Sequence, residues 1–348
     1  MKVVAFVPAK GSSSRIKSKN IKLLDGKPLF LHTLEKLCGC GFIDEVYLDT
    51  ESDEVISLAT DVPCKVIKRD PSLASNKTDG HQLFMNQVNH VEADIYIQVL
   101  ATSPFIESDT IQKGVDKVKD ENCEYDSAVL VRKEKQYLWK NGNPLYNIDY
   151  IPNSKDLEDT IIETMGLYII KKAPAFSLNK RIGRRPLLLE ASPLEAVDVN
   201  WPEEFEFANL VAAGMREKDR SLLDNVKNQV SSSLLSDLLD DLGYPNQVIK
   251  GLAPNFKDAK FLGRAKTLKL RKLNEGEDFK GIYEALKSYD TIVPNDVIIV
   301  ENEVPEFAYF GDLNANLAIR SGASAVVVSG KTRDSFDVRR TGLPVFSA

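Results

Sequence analysis

Cysteine is scarce, and what there is lacks the spacing that chemistry needs. The four cysteines, at positions 38, 40, 64 and 123 of 348 residues, form no CxxC pair and have no companion pair of histidines. That pattern excludes a zinc ribbon or finger and fits small half-buried thiols in a reduced compartment. The three histidines, His32, His81 and His90, are too dispersed for a metal cluster, and His81 reads as a helix-face residue. No apolar run approaches the ~18 residues of a membrane span, and no secretory leader opens the chain. The expectation is a soluble, cytoplasmic protein with no membrane partner. Neither sign of charge dominates: 45 basic and 51 acidic residues are interspersed and leave a net charge of -6. No basic stripe marks a nucleic-acid surface, so nucleic acid is excluded as a partner. Walker (GxxxxGK[ST]) and dinucleotide (GxGxxG) loops are missing, as are internal repeats and low-complexity tracts.

What is present is an alternation of short apolar runs and helix-period segments. Val3–Val7, Glu45–Asp49, Cys64–Ile67, Ile95–Leu100, Ser127–Val131 and Gly166–Ile170 read as strands. Pro28–Cys38, Ser52–Thr60, Asp79–His90 and Ser108–Lys119 read as helices between them. Such an order builds a doubly wound, mainly parallel α/β sheet with crossover helices. A length of 348 residues exceeds one ordinary core. We divide the chain into a domain over residues 1–215, a charged linker over 216–225, and a smaller α/β domain over 226–348. In the latter Ser231–Leu242 and Asp312–Arg320 read as helices, and Ala265–Leu270, Asp296–Val300 and Ala325–Val328 as strands.

The first strand runs into PAKGSSSRIKSKN, a glycine- and serine-rich loop carrying Lys10, Arg15, Lys17 and Lys19. Backbone N–H groups and hydroxyls at the end of a strand, surrounded by cations, suit a polyphosphate. Near residue 200 another chemical signal appears: Asp198 follows a strand-like stretch, Leu187–Val197, and precedes NWPEEFEFA, where Pro202 and acidic residues begin a helix. Trp139 and Trp201 read as core or edge packing, and LRKLNEGEDFKG (270–281) as a solvated loop.

The order strand, PAKGSSSRIKSKN, LDGKPLFLHTLEKL resembles the opening of the cytidylyltransferases that activate sialic and related nonulosonic or octulosonic acids as CMP-sugars. Gly11, Ser13, Arg15, Lys19 and Asn20 match that family's motif. Lys10 stands where it usually has arginine, Ser14 where it often has lysine, and Lys17 where it often has proline. The resemblance continues through LDTESDEVISLA, KRDPSLASNKTDG, IQVLATSPF, NSKDLEDTIIETMGLYIIKK and the RIGRRPLLLEASPLEAVDVNWPEEFEFANLV ending, over about 210 residues. It implies a Rossmann-like fold of the nucleotide-diphospho-sugar transferase type and transfer of CMP from CTP to a 2-keto sugar acid. It also implies roles. Lys10, Arg15 and Lys19 would hold the triphosphate, and Gly11, Ser12, Ser13, Asn20 and Arg69 the nucleotide. Thr102, Ser103 and Lys155 would contact the sugar acid, and Asp198 with Asn200 would bind Mg²⁺. Asn200 replaces the aspartate usual at its position, while Leu100 and Ile106 replace a glutamine and an arginine. Members commonly pair through a segment such as Asn143–Glu163, so a homodimer is expected.

From about residue 226 the chain resembles the regulator of ribonuclease activity A and the class II 4-hydroxy-4-methyl-2-oxoglutarate aldolases. The matching residues are SDLLDDLGYP, GRAKTL, PNDVIIVE, YFGDLNANLAIRSGASAVVVSGKTRDS and LPVFSA. Asp312, Arg333 and Asp334 fit the D-x20-R-D pattern of the aldolases. The resemblance implies that Arg333 grips a 2-keto acid carboxylate, Asp334 holds Mg²⁺, and Asp312 positions a water. Relative to that family the domain is expected to be incomplete. Three alternatives stay open: a sugar-1-phosphate nucleotidyltransferase, disfavoured by the missing GxGTRxxP loop; a nucleotide-binding protein without turnover, suggested by Asn200, Ser14 and Ile106; and a metal-dependent 2-keto acid aldolase.

Overall fold

Five consecutive apolar residues leave a strand no polar face, so it must be covered on both sides. The computed structural model, which describes residues 1–75, 77–277 and 286–348, shows this for β1 (Val3–Pro8). Val3, Ala5 and Val7 enter one hydrophobic cluster, and Val4 and Phe6 enter the cluster on the opposite face. A loop and a short hairpin, β2 (Leu23–Leu24) with β3 (Lys27–Pro28), lead to α1 (Leu29–Cys38). Then follow β4 (Glu45–Thr50), α2 (Asp53–Leu58), β5 (Lys65–Lys68), α3 (Gly80–His90), β6 (Ile95–Val99), α4 (Ser108–Lys119) and β7 (Ser127–Glu134). After the hairpin β8 (Trp139–Lys140) and β9 (Asn143–Pro144) come β10 (Thr160–Lys171), α5 (Lys172–Leu178), β11 (Pro186–Glu190) and α6 (Pro202–Lys227).

The seven-stranded sheet has the order β11-β7-β10-β6-β1-β4-β5, and β10 alone runs against its neighbours. The expected doubly wound, mainly parallel α/β class is therefore what the structure has. After β5 the chain returns across β1 to form β6, so the winding reverses between β1 and β6. Open α/β sheets bind ligands outside the carboxyl ends of strands at such a reversal. Local chemistry explains the helix starts. Ser52 Oγ accepts from Val55 N–H at α2, and Asp79 accepts from His81 and Gln82 while the Gln82 side chain accepts from Asp79 N–H at α3.

Two details depart from the sequence pattern. The strand expected over Leu187–Val197 ends at Glu190. Beyond it the chain turns, because the Glu195 carboxylate accepts from Ser192 N–H and pulls the segment back on itself. In β10 the register shifts between Glu163 and Tyr168, with Met165 at a φ of 60°. Such a bulge bends a strand and re-aims its side chains.

The chain divides into two compact units, Met1–Val211 and Ala212–Ala348, and the charged linker expected over residues 216–225 lies within α6. The second unit holds α7 (Ser232–Asp241), β12 (Ala253–Pro254), β13 (Arg264–Leu270), β14 (Asp296–Asn302), α8 (Asp312–Ser321), β15 (Ala325–Val328), α9 (Ser335–Arg340) and β16 (Val345–Ser347). Its sheet has the order β12-β16-β15-β14-β13, parallel except for β12. Ile298, Val300, Val326 and Val328 pack there against Phe310, Ala315 and Ala318. Residues 278–281 of the expected solvated loop lie outside the described residues.

Candidate active site

Three segments leave the carboxyl ends of β1, β4 and β6 and are tied to one another by side chains. The loop after β1 starts where Ala9 N–H meets the Asp49 carbonyl at 2.9 Å, and it closes when Asn20 Nδ2 donates to the Lys10 carbonyl at 2.8 Å. Gly11 N–H donates to Glu51 Oε1 at 2.8 Å. A Cβ at Gly11 would lie 2.6 Å from Ser52 Cβ, so only glycine allows this approach. Ser12 is exposed, Ser13 Oγ faces Ile16 N–H at 3.5 Å, and Lys10 is half-buried.

Lys19 lies in a short 3-10 turn and is buried, its Nζ donating to the Val199 carbonyl at 2.7 Å. Val199 N–H in turn donates to the Thr102 carbonyl at 2.8 Å. A single residue thus joins the loop after β1 to the turn after β6, and its neighbour Asp198 is fixed between them. Burial lowers the Lys19 ammonium to about 8; Arg15 and Lys10 add to the shift, while Asp198 and Glu204 oppose it.

Arg15 Nη2 donates to Asn200 Oδ1 at 2.8 Å, and its guanidinium lies over the Trp201 ring, 5.4 Å from the centroid. The Asn200 amide donates to Asp198 Oδ2, while Asp198 Oδ1 is buried and has no hydrogen-bond partner. Glu204 caps the start of α6 by accepting from Asn200 N–H at 2.6 Å and Trp201 N–H at 3.0 Å. Contrary to the packing expected of them, Trp139 and Trp201 are 59% and 53% exposed. Trp201 is covered on one face by Arg15, not by the core.

Arg69, expected at the nucleotide, is instead 4% exposed beneath the loop. Its guanidinium donates to the Asp49 carbonyl and lies 3.1 Å from Asp49 Oδ1 and 3.6 Å from Glu51 Oε2. Burial raises the Asp49 carboxyl despite that cation. From Asp49 a buried polar chain continues: Gln87 Nε2 donates to Asp49 Oδ2 at 2.6 Å, and Gln98 Nε2 to Gln87 Oε1 at 2.7 Å. Arg181 Nη1 then donates to Gln98 Oε1 at 3.0 Å and Nη2 to Tyr168 Oη at 2.8 Å, and the Tyr168 hydroxyl donates to Glu163. The bulge in β10 is what brings Glu163 to Tyr168.

Of the residues expected at the sugar acid, Thr102 and Ser103 lie in the turn after β6. Ser103 Oγ is buried without a hydrogen-bond partner, and it would lie 2.6 Å from a Cβ built on Gly166. Lys155 is exposed in the arm between β7 and β10, its carbonyl accepting from Lys135 Nζ at 2.7 Å. Glu51, Glu204 and Arg181 went unrecognised in the sequence; only the capping position of Glu204, at the N3 position before an apolar run, carried a readable signal.

In the second unit the turn that opens α8 lies against the loop before α9. Arg333 N–H donates to the Phe310 carbonyl at 2.9 Å, and a Cβ on Gly311 would lie 2.6 Å from Asp334 Oδ2. Arg333 Nε is 3.4 Å from Asp334 Oδ2, Asp334 has a φ of 55°, and Asp312, Arg333 and Asp334 are exposed. The turn that carries Asp312 and the loop that carries Arg333 and Asp334 are thus neighbours at the surface. Among the described residues no helix is long and apolar enough to cross a membrane.

The first unit is an α/β domain with a basic, anion-suited loop and an under-coordinated carboxylate at the reversal of its sheet. Its sequence matches the family model described as Cytidylyltransferase over residues 4–150, and the second unit matches Aldolase/RraA over residues 232–348. The chain therefore has one segment that matches a cytidylyltransferase model and, after it, one that matches an Aldolase/RraA model. It is similar to N-acylneuraminate cytidylyltransferase A of Danio rerio, 26% identical over 220 residues, covering 58% of this chain and 49% of that protein. The chain thus spans about half the length of that relative. It is also similar to CMP-N,N'-diacetyllegionaminic acid synthase of Legionella pneumophila, 27% identical over 231 residues, covering 58% of this chain and 92% of that one. Among solved structures, a CMP:2-keto-3-deoxy-manno-octonic acid synthetase complexed with CTP is 20% identical, with a TM-score of 0.48 over 62% of this chain and 100% of that one.

Proposed function

We propose that the first unit transfers CMP from CTP to the anomeric hydroxyl of a 2-keto sugar acid of the sialic or nonulosonic class. The observation that carries this reading is the Lys19–Val199–Thr102 linkage, which holds Asp198 and its unpartnered oxygen beside Arg15 and Lys19. The acceptor oxygen forms a bond to the α-phosphorus, pyrophosphate leaves with the electrons of the broken P–O bond, and the hydroxyl proton is released. Phosphoryl transfer of this kind depends on positioning and charge neutralisation. Lys10, Arg15 and Lys19 supply cations to the triphosphate, and Asn20 holds the loop closed through the Lys10 carbonyl. Arg69 acts from beneath, by keeping Glu51 and Asp49 in place. Gly11 offers its N–H once Glu51 yields it, and Ser12 and Ser13 line the same loop.

The donor set fits Mg²⁺ in one respect. Asp198 Oδ1 is a buried carboxylate oxygen without a partner, whereas Asn200 Oδ1 is engaged by Arg15. Among the described residues no group of three or more acidic, histidine or cysteine side chains is placed to hold a metal ion. Asp198 would therefore hold the ion together with triphosphate oxygens and water, where it supplies neutralisation of charge on the leaving pyrophosphate. Asn200 bridges Arg15 to Asp198. Asn200→Asp keeps the acceptor for Arg15 and exchanges the amide donor to Asp198 for a second carboxylate; it should tighten metal binding, measured by Mn²⁺ titration, while changing pyrophosphate release by only about threefold.

The experiment that tests the reading is pyrophosphate release with CTP, Mg²⁺ and a panel of 2-keto sugar acids. Release confined to CTP plus one acid supports it; silence with every acid while CTP still binds leaves a nucleotide-binding protein without turnover. A second reading concerns the other unit, favoured by the approach of Arg333 and Asp334 to Gly311, the residue before Asp312. A guanidinium beside a carboxylate suits the carboxyl group and metal of a 2-keto acid aldol cleavage. Pyruvate release from a 4-hydroxy-2-keto acid by the full chain, lost in Arg333→Ala, is the expected result on that reading. We further propose a homodimer formed through the arm of residues 135–159, where Leu145, Ile148, Tyr150 and Ile151 are each more than 60% exposed.

A further inference from the structure

The turn after β6 is gripped from two sides by charges that the sequence does not connect. Lys36, in the last turn of α1, donates through Nζ to the Pro104 carbonyl at 2.8 Å and to the Ile106 carbonyl at 2.6 Å. Glu195 is 4% exposed, and its Oε1 accepts from Glu107 N–H at 3.2 Å while Oε2 accepts from Ser192 N–H at 2.9 Å. One cation thus holds two carbonyls of the turn and one anion holds the amide that follows them. The chain between them is short: Thr102 lies two residues before Pro104, and Asp198 lies three residues after Glu195. Thr102 and Val199 then meet directly through the 2.8 Å hydrogen bond that joins the two segments.

We infer that Lys36 and Glu195 are positioning residues, a buried electrostatic clamp that fixes the turn 102–107 and, through Val199, the placement of Asp198 against the acceptor. The inference rests on the cytidylyltransferase reading for its kinetic consequence, although the clamp itself is a matter of geometry. Neither side chain reaches the loop after β1. Loss of the clamp therefore separates acceptor alignment from nucleotide binding. Burial alone does not account for the arrangement, because an apolar residue at position 36 would fill the same space; what the ammonium adds is a fixed orientation for two carbonyls that would otherwise be enclosed and unpaired. Glu195 offers the complementary half, since a carboxylate that accepts two backbone N–H groups is held in one orientation by both. Burial lowers the Lys36 ammonium to about 8, with Cys40, Glu107 and Glu195 opposing the shift. A neutral amine still donates to both carbonyls, so the clamp is expected to persist above that pH.

The test compares Lys36→Met, Lys36→Arg and Glu195→Gln in the full chain. CTP affinity is measured by calorimetry, kcat and acceptor KM by pyrophosphate release, and backbone order by amide hydrogen exchange. For Lys36→Met we expect kcat to fall by about 10- to 30-fold, below the ~10²-fold that a misplacement of about 1 Å can cost. Acceptor KM should rise severalfold, CTP affinity should stay within about twofold, and Lys36→Arg should recover most of the loss. Exchange at residues 102–107 and at Val199 should accelerate while that of α2 does not. Parent-like kinetics in a folded Lys36→Met protein, or CTP affinity falling in step with kcat, overturns the inference. If the parent releases no pyrophosphate with any acid, the catalytic reading has failed and exchange alone decides the clamp. Coupled acceleration at 102–107 and Val199 then supports it, and unchanged or uniform exchange overturns it. Should Lys36→Met not fold, Glu195→Gln gives the same comparison, because an amide keeps one acceptor and loses the other.

Discussion

Asp198→Ala is expected to lower pyrophosphate release by about 10³-fold while leaving the protein folded. The magnitude follows from what the side chain does in the proposed reaction. A group that neutralises charge only where the reaction develops it contributes about 10²–10³ in kcat, and an aspartate that also fixes a metal adds to that. The structure limits the collateral damage. Asp198 Oδ2 accepts only from Asn200, and the backbone hydrogen bonds that hold the segment belong to Val199 and Glu204. Removing the carboxylate leaves those bonds intact and also removes a buried oxygen that has no partner. Thermal unfolding should therefore move little, and CTP affinity in the absence of Mg²⁺ should change by less than threefold. An alanine variant that releases pyrophosphate at the parent rate would remove Asp198 from the reaction. One that fails to fold would make it a structural cap.

How much of this was legible depended on the range of each interaction. The apolar runs of β1, β4, β6, β7, β14 and β15 announced themselves because a strand buried on both faces needs no partner information to be recognised. The helices between them carried caps written in adjacent residues, such as Ser52 with Val55 and Asp79 with Gln82. Asp198, Lys19 and Arg15 were found through resemblance to a family, and the structure brings all three within one cluster. What stayed hidden was long-range. Arg69 was assigned to the nucleotide through the resemblance of KRDPSLASNKTDG to a family segment, yet parallel pairing of β4 with β5 places it beneath Asp49, and a buried carboxylate there demands its charge. Lys155 belonged to a motif but lies in an arm whose course no local pattern predicts. The bulge at Met165, which joins Glu163 to Tyr168, and the reach of Lys36 to Pro104 across 68 residues have no periodicity at all. Side chains that serve backbone groups far along the chain are set by topology, and the sequence records topology only indirectly.

The second large effect concerns pH. Lys19 is lowered from 10.5 to about 8, chiefly by burial, so the free protein loses this cation as pH rises through 8. Its charged form is the one that attracts a triphosphate. The dependence of kcat/KM for CTP should therefore fall above pH 8, because that parameter reports the free protein. In the complex the triphosphate holds the proton on Lys19, so kcat should stay level to a higher pH. Stability moves the other way. Between about 8 and 10.5 the unfolded chain binds the proton that the folded chain has released, so this group makes folding more favourable as pH rises. Loss of CTP binding and loss of structure thus carry opposite signs over the same window, and a fall in kcat/KM there cannot be unfolding through this lysine. Lys19→Met should lower kcat/KM for CTP by about 10²-fold at pH 7, the worth of a hydrogen bond to a charged group in an enclosed site. It should also abolish the alkaline limb. A limb that persists unchanged in Lys19→Met would assign the titration to another group, and an unaltered kcat/KM at pH 7 would place Lys19 in the role its contact with Val199 already gives it, a strut between the loop after β1 and the segment that bears Asp198.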